Sequence, residues 1–157
     1  MAIRRQATAG MVADTSLYNI DGACIMSTGV VQGVGYAVGV GSVDADGHKV
    51  LVSAVADNVY GVLVKSHYES PRGSYGGVVG NIDNFQVANV MTHGRIWMVT
   101  GLSAAPAFGS AVTIGTDGSA TSGGAITTNW TFAGGFQAAG ADALTDPALV
   151  EVQVIQK

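Results

Sequence analysis

Three histidines, one cysteine and eleven carboxylates are the side chains of this 157-residue chain most able to do chemistry. The tightest grouping is Asp44, Asp46 and Gly47 in "DADGHK", which matches the opening of a calcium-binding loop. Such a loop needs further oxygen ligands and a closing glutamate, and neither follows, so the segment reads as a turn. His48, His67 and His93 each fall in a predicted loop or turn. A hydrolase would need one of them beside a nucleophile, yet no Gly-x-Ser-x-Gly elbow or His-Glu-x-x-His pair is present. Cys24, in "GACIMS", has no local base or cation to draw off its proton and reads as a buried structural thiol. A single cysteine also excludes an internal disulfide and any metal site built from several thiolates. Gly33 and Gly35 begin a dinucleotide fingerprint, but Val38 stands at its third glycine position, and neither Lys49 nor Lys65 follows phosphate-loop glycines. The expectation is no enzyme, no cofactor and no metal.

Aromatic residues offer a binding chemistry instead. Trp97, Trp130, Tyr60 and Tyr75 on a β scaffold could stack on a sugar. The same residues serve equally in a core or a subunit interface, and that is the preferred reading. The triplet Asn129-Trp130-Thr131 matches a glycosylation acceptor. The opening "MAIRRQATAGMVADT" has no apolar leader region, so synthesis in a cytoplasm is expected and the triplet is discounted.

These residues must be positioned by strands. From Gly33 onward Val34, Tyr36, Val38 and Val40 alternate with small residues, the period of a strand with one bulky face. "DADGHK" turns the chain, "VLVSAVA" and "YGVLVKS" continue the sheet, and Ser66 to Asn81 reads as a surface loop rich in Pro and Gly. Thr92-His93-Gly94 reads as a tight hairpin between "FQVANVM" and "RIWMVT", with Gly94 at positive φ. "SAVTIGTDGSAT" repeats the plan around Asp117-Gly118, and "LVEVQVIQ" places Val150, Val152 and Val154 on one face. No window keeps a helical period. The sequence therefore predicts an all-β fold, a single compact β-barrel or β-sandwich over residues 21–157, preceded by an extended N-terminal arm over residues 1–20.

Composition narrows the role. Charged residues make up 11% of the chain, against about 25% in an average soluble domain. A surface so short of charge is expected to be covered by other subunits. A net charge of −4 with seven scattered basic residues argues against nucleic acid, whose binders cluster Lys and Arg. The longest apolar stretch, Val30 to Val43, is broken by glycine and shorter than the roughly 18 residues of a membrane-spanning helix, so no membrane partner is expected.

The order of segments carries a resemblance. "GMVADTSLYNIDGACIMSTGVVQGVGYAV", "YGVLVKSHYE", "VANVMTHGRIWMVTG", "APAFGSAVTIG" and the terminal "LVEVQVI" together resemble the structural cement, or capsid decoration, proteins of tailed bacteriophages. The likeness spans nearly the whole chain. It departs at Thr100, Gly101 and Leu102, where the family pattern places an acidic residue, and in the tail from Phe132. The resemblance implies a non-enzymatic β domain of the virion that binds the outer surface of an assembled major-capsid-protein shell and clamps neighbouring capsomers. An extended arm can add a strand to a neighbour's sheet edge, so residues 1–20 are expected to bind the shell, with Arg4 and Arg5 pairing with capsid carboxylates and Met11, Leu17, Tyr18 and Ile20 packing. "GRIWMVT" is bulky on both faces, so Ile96 and Met98 are assigned to the core, and Arg95, Trp97 and Val99 to a subunit contact. A homo-oligomer is expected, a trimer in preference to a dimer. The alternative is a receptor- or glycan-binding module of a tail fibre.

Overall fold

Valine, isoleucine and threonine at alternating positions, separated by glycine-bearing turns, favour pleated strands over helices. The computed structural model describes residues 7–30, 32–56, 58–65, 81–82, 86–141 and 146–156. Among these there are eleven strands and no helix: β1 (Val12–Met26), β2 (Gln32–Gly33), β3 (Ala37–Val43), β4 (Lys49–Ser53), β5 (Val59–Leu63), β6 (Asn81–Ile82), β7 (Val87–Thr100), β8 (Ala111–Ile114), β9 (Ala120–Thr121), β10 (Ile126–Gln137) and β11 (Ala148–Val154). The all-β expectation holds. Nine strands form one sheet in the order β1-β4-β3-β5-β7-β11-β10-β8-β9, and β2 pairs with β6.

Two further pairings, β1 with β7 and β7 with β9, close that sheet on itself twice. One ring runs β1-β4-β3-β5-β7 and the other β7-β11-β10-β8-β9, so β7 is the wall they share. Its first half pairs with β5 through Val90 and Met91, and its second half pairs with β11 from Gly94 to Thr100. Antiparallel β1 follows it along both halves.

The expected hairpin at Thr92-His93-Gly94 is corrected by this arrangement. The chain does not reverse there, because β7 runs straight through. Gly94 does take positive φ, at 125°. The left-handed residue serves as a bulge that changes which side chains face which core. Before it, Ala88 and Val90 pack in one apolar cluster; after it, Ile96 and Met98 pack in the other, and Trp97 and Val99 turn toward the first. A one-residue slip in a strand moves every following side chain to the opposite face.

Each ring encloses its own cluster for the most part. Cys24, Met26, Val38, Leu51, Leu63 and Val90 fill one, and Ile96, Met98, Ile114, Phe132, Val150 and Val152 fill the other. Full burial of each such side chain contributes about 1.5–3 kcal/mol. The "DADGHK" turn forms as expected, with Gly47 at φ 86° and the Asp44 N–H donating to the His48 carbonyl.

Candidate functional site

The expected arm boundary at residue 20 falls inside β1, which spans Val12–Met26. Arg4 and Arg5 lie outside the described residues. From residue 7 the chain is woven into the body: Ala7 and Ala9 are buried, the Gly10 N–H donates to the Trp97 carbonyl at 2.8 Å, and the Trp97 N–H donates to the Met11 carbonyl at 3.0 Å. Met11 is half-buried against the first cluster, and Ile20 packs partly against the second. Their apolar side chains thus anchor the strand to its own domain.

Between these anchors β1 leaves the sheet. Asp14 is registered opposite Arg95 and Asn19 opposite His93, so Thr15, Ser16, Leu17 and Tyr18 stand against Gly94 alone. Three surplus residues must arch outward. The Ser16 N–H donates to Asp14 Oδ1 at 2.8 Å at the near end, and Asn19 Nδ2 donates to Thr92 Oγ1 at 3.2 Å at the far end. The backbone and then the side chain of Ser16, as hydrogen-bond partners, hold Asp14 below the usual carboxylate range. At the crest Leu17 is 72% exposed and Tyr18 46%. An arch pinned at both ends presents two large apolar side chains to a partner, with little entropy left to lose.

Arg95, Trp97 and Val99 separate by depth. Arg95 is half-exposed; its Nε donates to Gln153 Oε1 at 3.2 Å, and its Nη1 lies 4.0 Å from Glu151 Oε1. Trp97 is half-buried against the first cluster, and a side chain at Gly135 would run into its ring edge. Val99 is only 5% exposed and packs within that cluster. One exposed apolar residue was missed by the sequence reading. Phe108, 76% exposed, sits on a turn where both the amide and the hydroxyl of Ser110 donate to the Ala107 carbonyl. The turn is tied to β10 by the Gly109 N–H donating to the Phe132 carbonyl, and Phe108 lies beside Gly134. A phenylalanine inside "APAFGS", a loop rich in Pro, Gly and Ala, is the signal that would have found it.

The remaining chemistry-bearing residues are structural where they are described. Asp21 Oδ2 accepts from Lys49 Nζ at 2.7 Å and from the Tyr60 hydroxyl at 2.5 Å, while Oδ1 accepts from the Ala23 N–H. Burial alone would raise the Asp21 pKa, but hydrogen bonds from Lys49, Tyr60 and Ala23 outweigh it and bring it to about 2. Burial, then the Asp21 contact, pushes Tyr60 up to about 12. This cluster ties β1 to β4 and β5. Burial also pushes the Cys24 thiol up to about 12, which leaves it protonated and unreactive.

Ligand atoms of Asp44, Asp46 and His48 lie within 4.8 Å of one another at the exposed β3–β4 turn. Asp44 Oδ1 accepts from the Asp46 and His48 amides and Oδ2 contacts His48 Nδ1, which makes the group a turn lock. His67 and Tyr75 lie outside the described residues. Trp130 is buried in the core, with Nε1 donating to the Ile155 carbonyl, and Tyr60 is engaged with Asp21, so neither joins Trp97 in a sugar platform.

A strand-built body with an anchored apolar arch can do one kind of chemistry well, which is to grip another protein. A family model described as structural cement protein (E217 gp24/Pam3 gp6) matches residues 2–154. Among solved structures the chain is similar to one from the capsid of Myoviridae phage XM1, at 19% identity and a TM-score of 0.61, covering 98% of this chain and 95% of that one. At that identity the likeness concerns the fold. None of the curated proteins matches the chain. With nearly its full length matched, the chain belongs to the phage structural cement protein family, a family whose role in the virion is structural.

Proposed function

We propose that this chain binds the outer surface of an assembled major-capsid-protein shell and clamps neighbouring capsomers against the pressure of packaged DNA. The observation that carries this reading is the arch of β1, which holds Leu17 and Tyr18 out of the sheet opposite Gly94. The protein pins an apolar crest at both ends rather than folding it inward. Such a crest suits a preformed groove between capsid subunits.

Stabilisation then follows from mass action. A ligand that binds the assembled lattice better than free or distorted subunits strengthens the lattice by RT ln(1 + [L]/Kd) at each site. Many identical sites multiply the effect. Arg95 and Trp97 supply the contact between copies of the chain, and a trimer is favoured over a dimer. Val99 supports that face from beneath.

The experiment is to mix purified protein with expanded shells that lack it and to measure co-sedimentation. Saturable binding is expected. No binding to expanded shells of its own phage would contradict the proposal.

A further inference from the structure

A cleft of about 550 Å3 opens at the end of β7, walled by Tyr36, residues 100–103, Asp117, Ala138 and Pro147. Among the described residues that line it, Asp117 is the one acid and there is no Lys, Arg or His. Asp117 Oδ1 accepts from the Ser119 N–H at 3.0 Å and hydroxyl at 2.7 Å, and Oδ2 has no partner among the described residues. The turn that carries it is tied to the other ring, because Gln32 Nε2 donates to the Asp117 carbonyl at 2.7 Å and the Ala37 N–H to the Gly118 carbonyl at 2.8 Å. The facing wall is held by Thr100 Oγ1, which donates to the Ala120 carbonyl and accepts from the Leu102 N–H. Burial, then the Asp117 charge, raises the Tyr36 pKa, so a neutral phenol and a negative carboxylate share the space. A preformed cleft of this kind suits a guanidinium, which can stack on the ring and pair with the acid while its stem lies along Val99 and Leu102.

Arg95 carries a guanidinium that its own chain leaves partly unused. It is half-exposed and is the one arginine among the described residues. Its Nε donates to Gln153 Oε1, but the Glu151 carboxylate stands 4.0 Å from Nη1, beyond hydrogen-bond reach. Arg95 also lies five residues before Thr100 on β7, about 17 Å of strand. Its side chain is too short to enter the cleft of its own copy.

We infer, on the reading that Arg95 faces a second copy, that the cleft is the receptor of that contact: Arg95 of one copy enters the cleft of the next, stacks on Tyr36 and pairs with Asp117. Giving and receiving surfaces differ, so the contact is heterologous and closes into a ring in which each copy gives one arginine and receives one. A trimer built this way leaves no cleft empty and no Arg95 unpaired.

The test is a double-mutant cycle on the full chain, read by sedimentation velocity, with circular dichroism as the control for folding. Asp117→Asn keeps an oxygen for the Ser119 donors and removes the charge, and Arg95→Gln removes the guanidinium. Each is expected to weaken self-association about tenfold or more. The double variant should be no weaker than either single one, because both remove the same contact. Unchanged association in Asp117→Asn, or losses that add in the double variant, would overturn the cleft as receptor and leave the copy contact of Arg95 standing. A wild-type chain that stays monomeric at every concentration would defeat that copy contact itself, and the receptor with it.

Discussion

Gly94 and Tyr18 leave no room for a side chain between them: a Cβ added to Gly94 would lie 2.8 Å from the Cβ and 3.1 Å from the Cα of Tyr18. With φ at 125°, Gly94 is both the bulge of β7 and the floor of the β1 arch. Gly94→Ala is therefore expected to destabilise the fold by about 1–3 kcal/mol. Urea unfolding should show a lower midpoint with an unchanged slope. The floor also shapes the crest, so the folded variant should bind shells more weakly.

Removing the crest should do the reverse. Leu17 and Tyr18 are exposed and support no core. Leu17→Ser/Tyr18→Ser is expected to leave the unfolding midpoint unchanged and to weaken shell binding by about 2 kcal/mol or more, the cost of losing a hot spot. A titration by co-sedimentation checks this, with circular dichroism as the control for folding.

The Asp21 cluster sets the pH limits of stability. Asp21 has a folded pKa of about 2 against 3.8 for the free group. The protonated form is therefore disfavoured in the fold. Its contribution, roughly 2 kcal/mol, is fully present above pH 4 and lost as pH falls from there toward 2. Tyr60 is raised from 10 to about 12, so its share is present below pH 10 and lost as pH rises toward 12. Asp21→Asn should lower the unfolding midpoint at pH 7 and flatten its fall between pH 4 and 2, as a series of thermal melts will record.

Trp97 and Val99 should part company. Trp97 is half-exposed, beside Arg95 and Gly135, whereas Val99 is buried. Trp97→Ala is expected to weaken self-association by about 2 kcal/mol, read by sedimentation velocity. Val99→Ala is expected to lower stability and leave the association of the folded chain unchanged.

Much of the fold was legible because its period is short. β11 alternates Val150, Val152 and Val154 inward, and Gly47 marks its turn by the left-handed backbone it adopts. Gly94 shows where legibility ended. A positive φ serves a hairpin and a bulge alike, and only the pairing with β11 on one side and β5 on the other decides between them. β10 hides its period, since residues 133–135 stand opposite Glu151 alone. The candidate site was half-visible. Leu17 and Tyr18 look like ordinary strand residues, and their prominence comes from a register mismatch with β7 that no local pattern encodes.

A cement protein must strengthen the assembled shell it binds. The most direct measurement is the temperature at which expanded, DNA-filled shells rupture, with and without saturating protein. A rise in that temperature which scales with occupancy, and which Leu17→Ser/Tyr18→Ser fails to produce, is the expected result. Saturable binding with an unchanged rupture temperature would contradict the account, since the chain would then decorate the shell without cementing it.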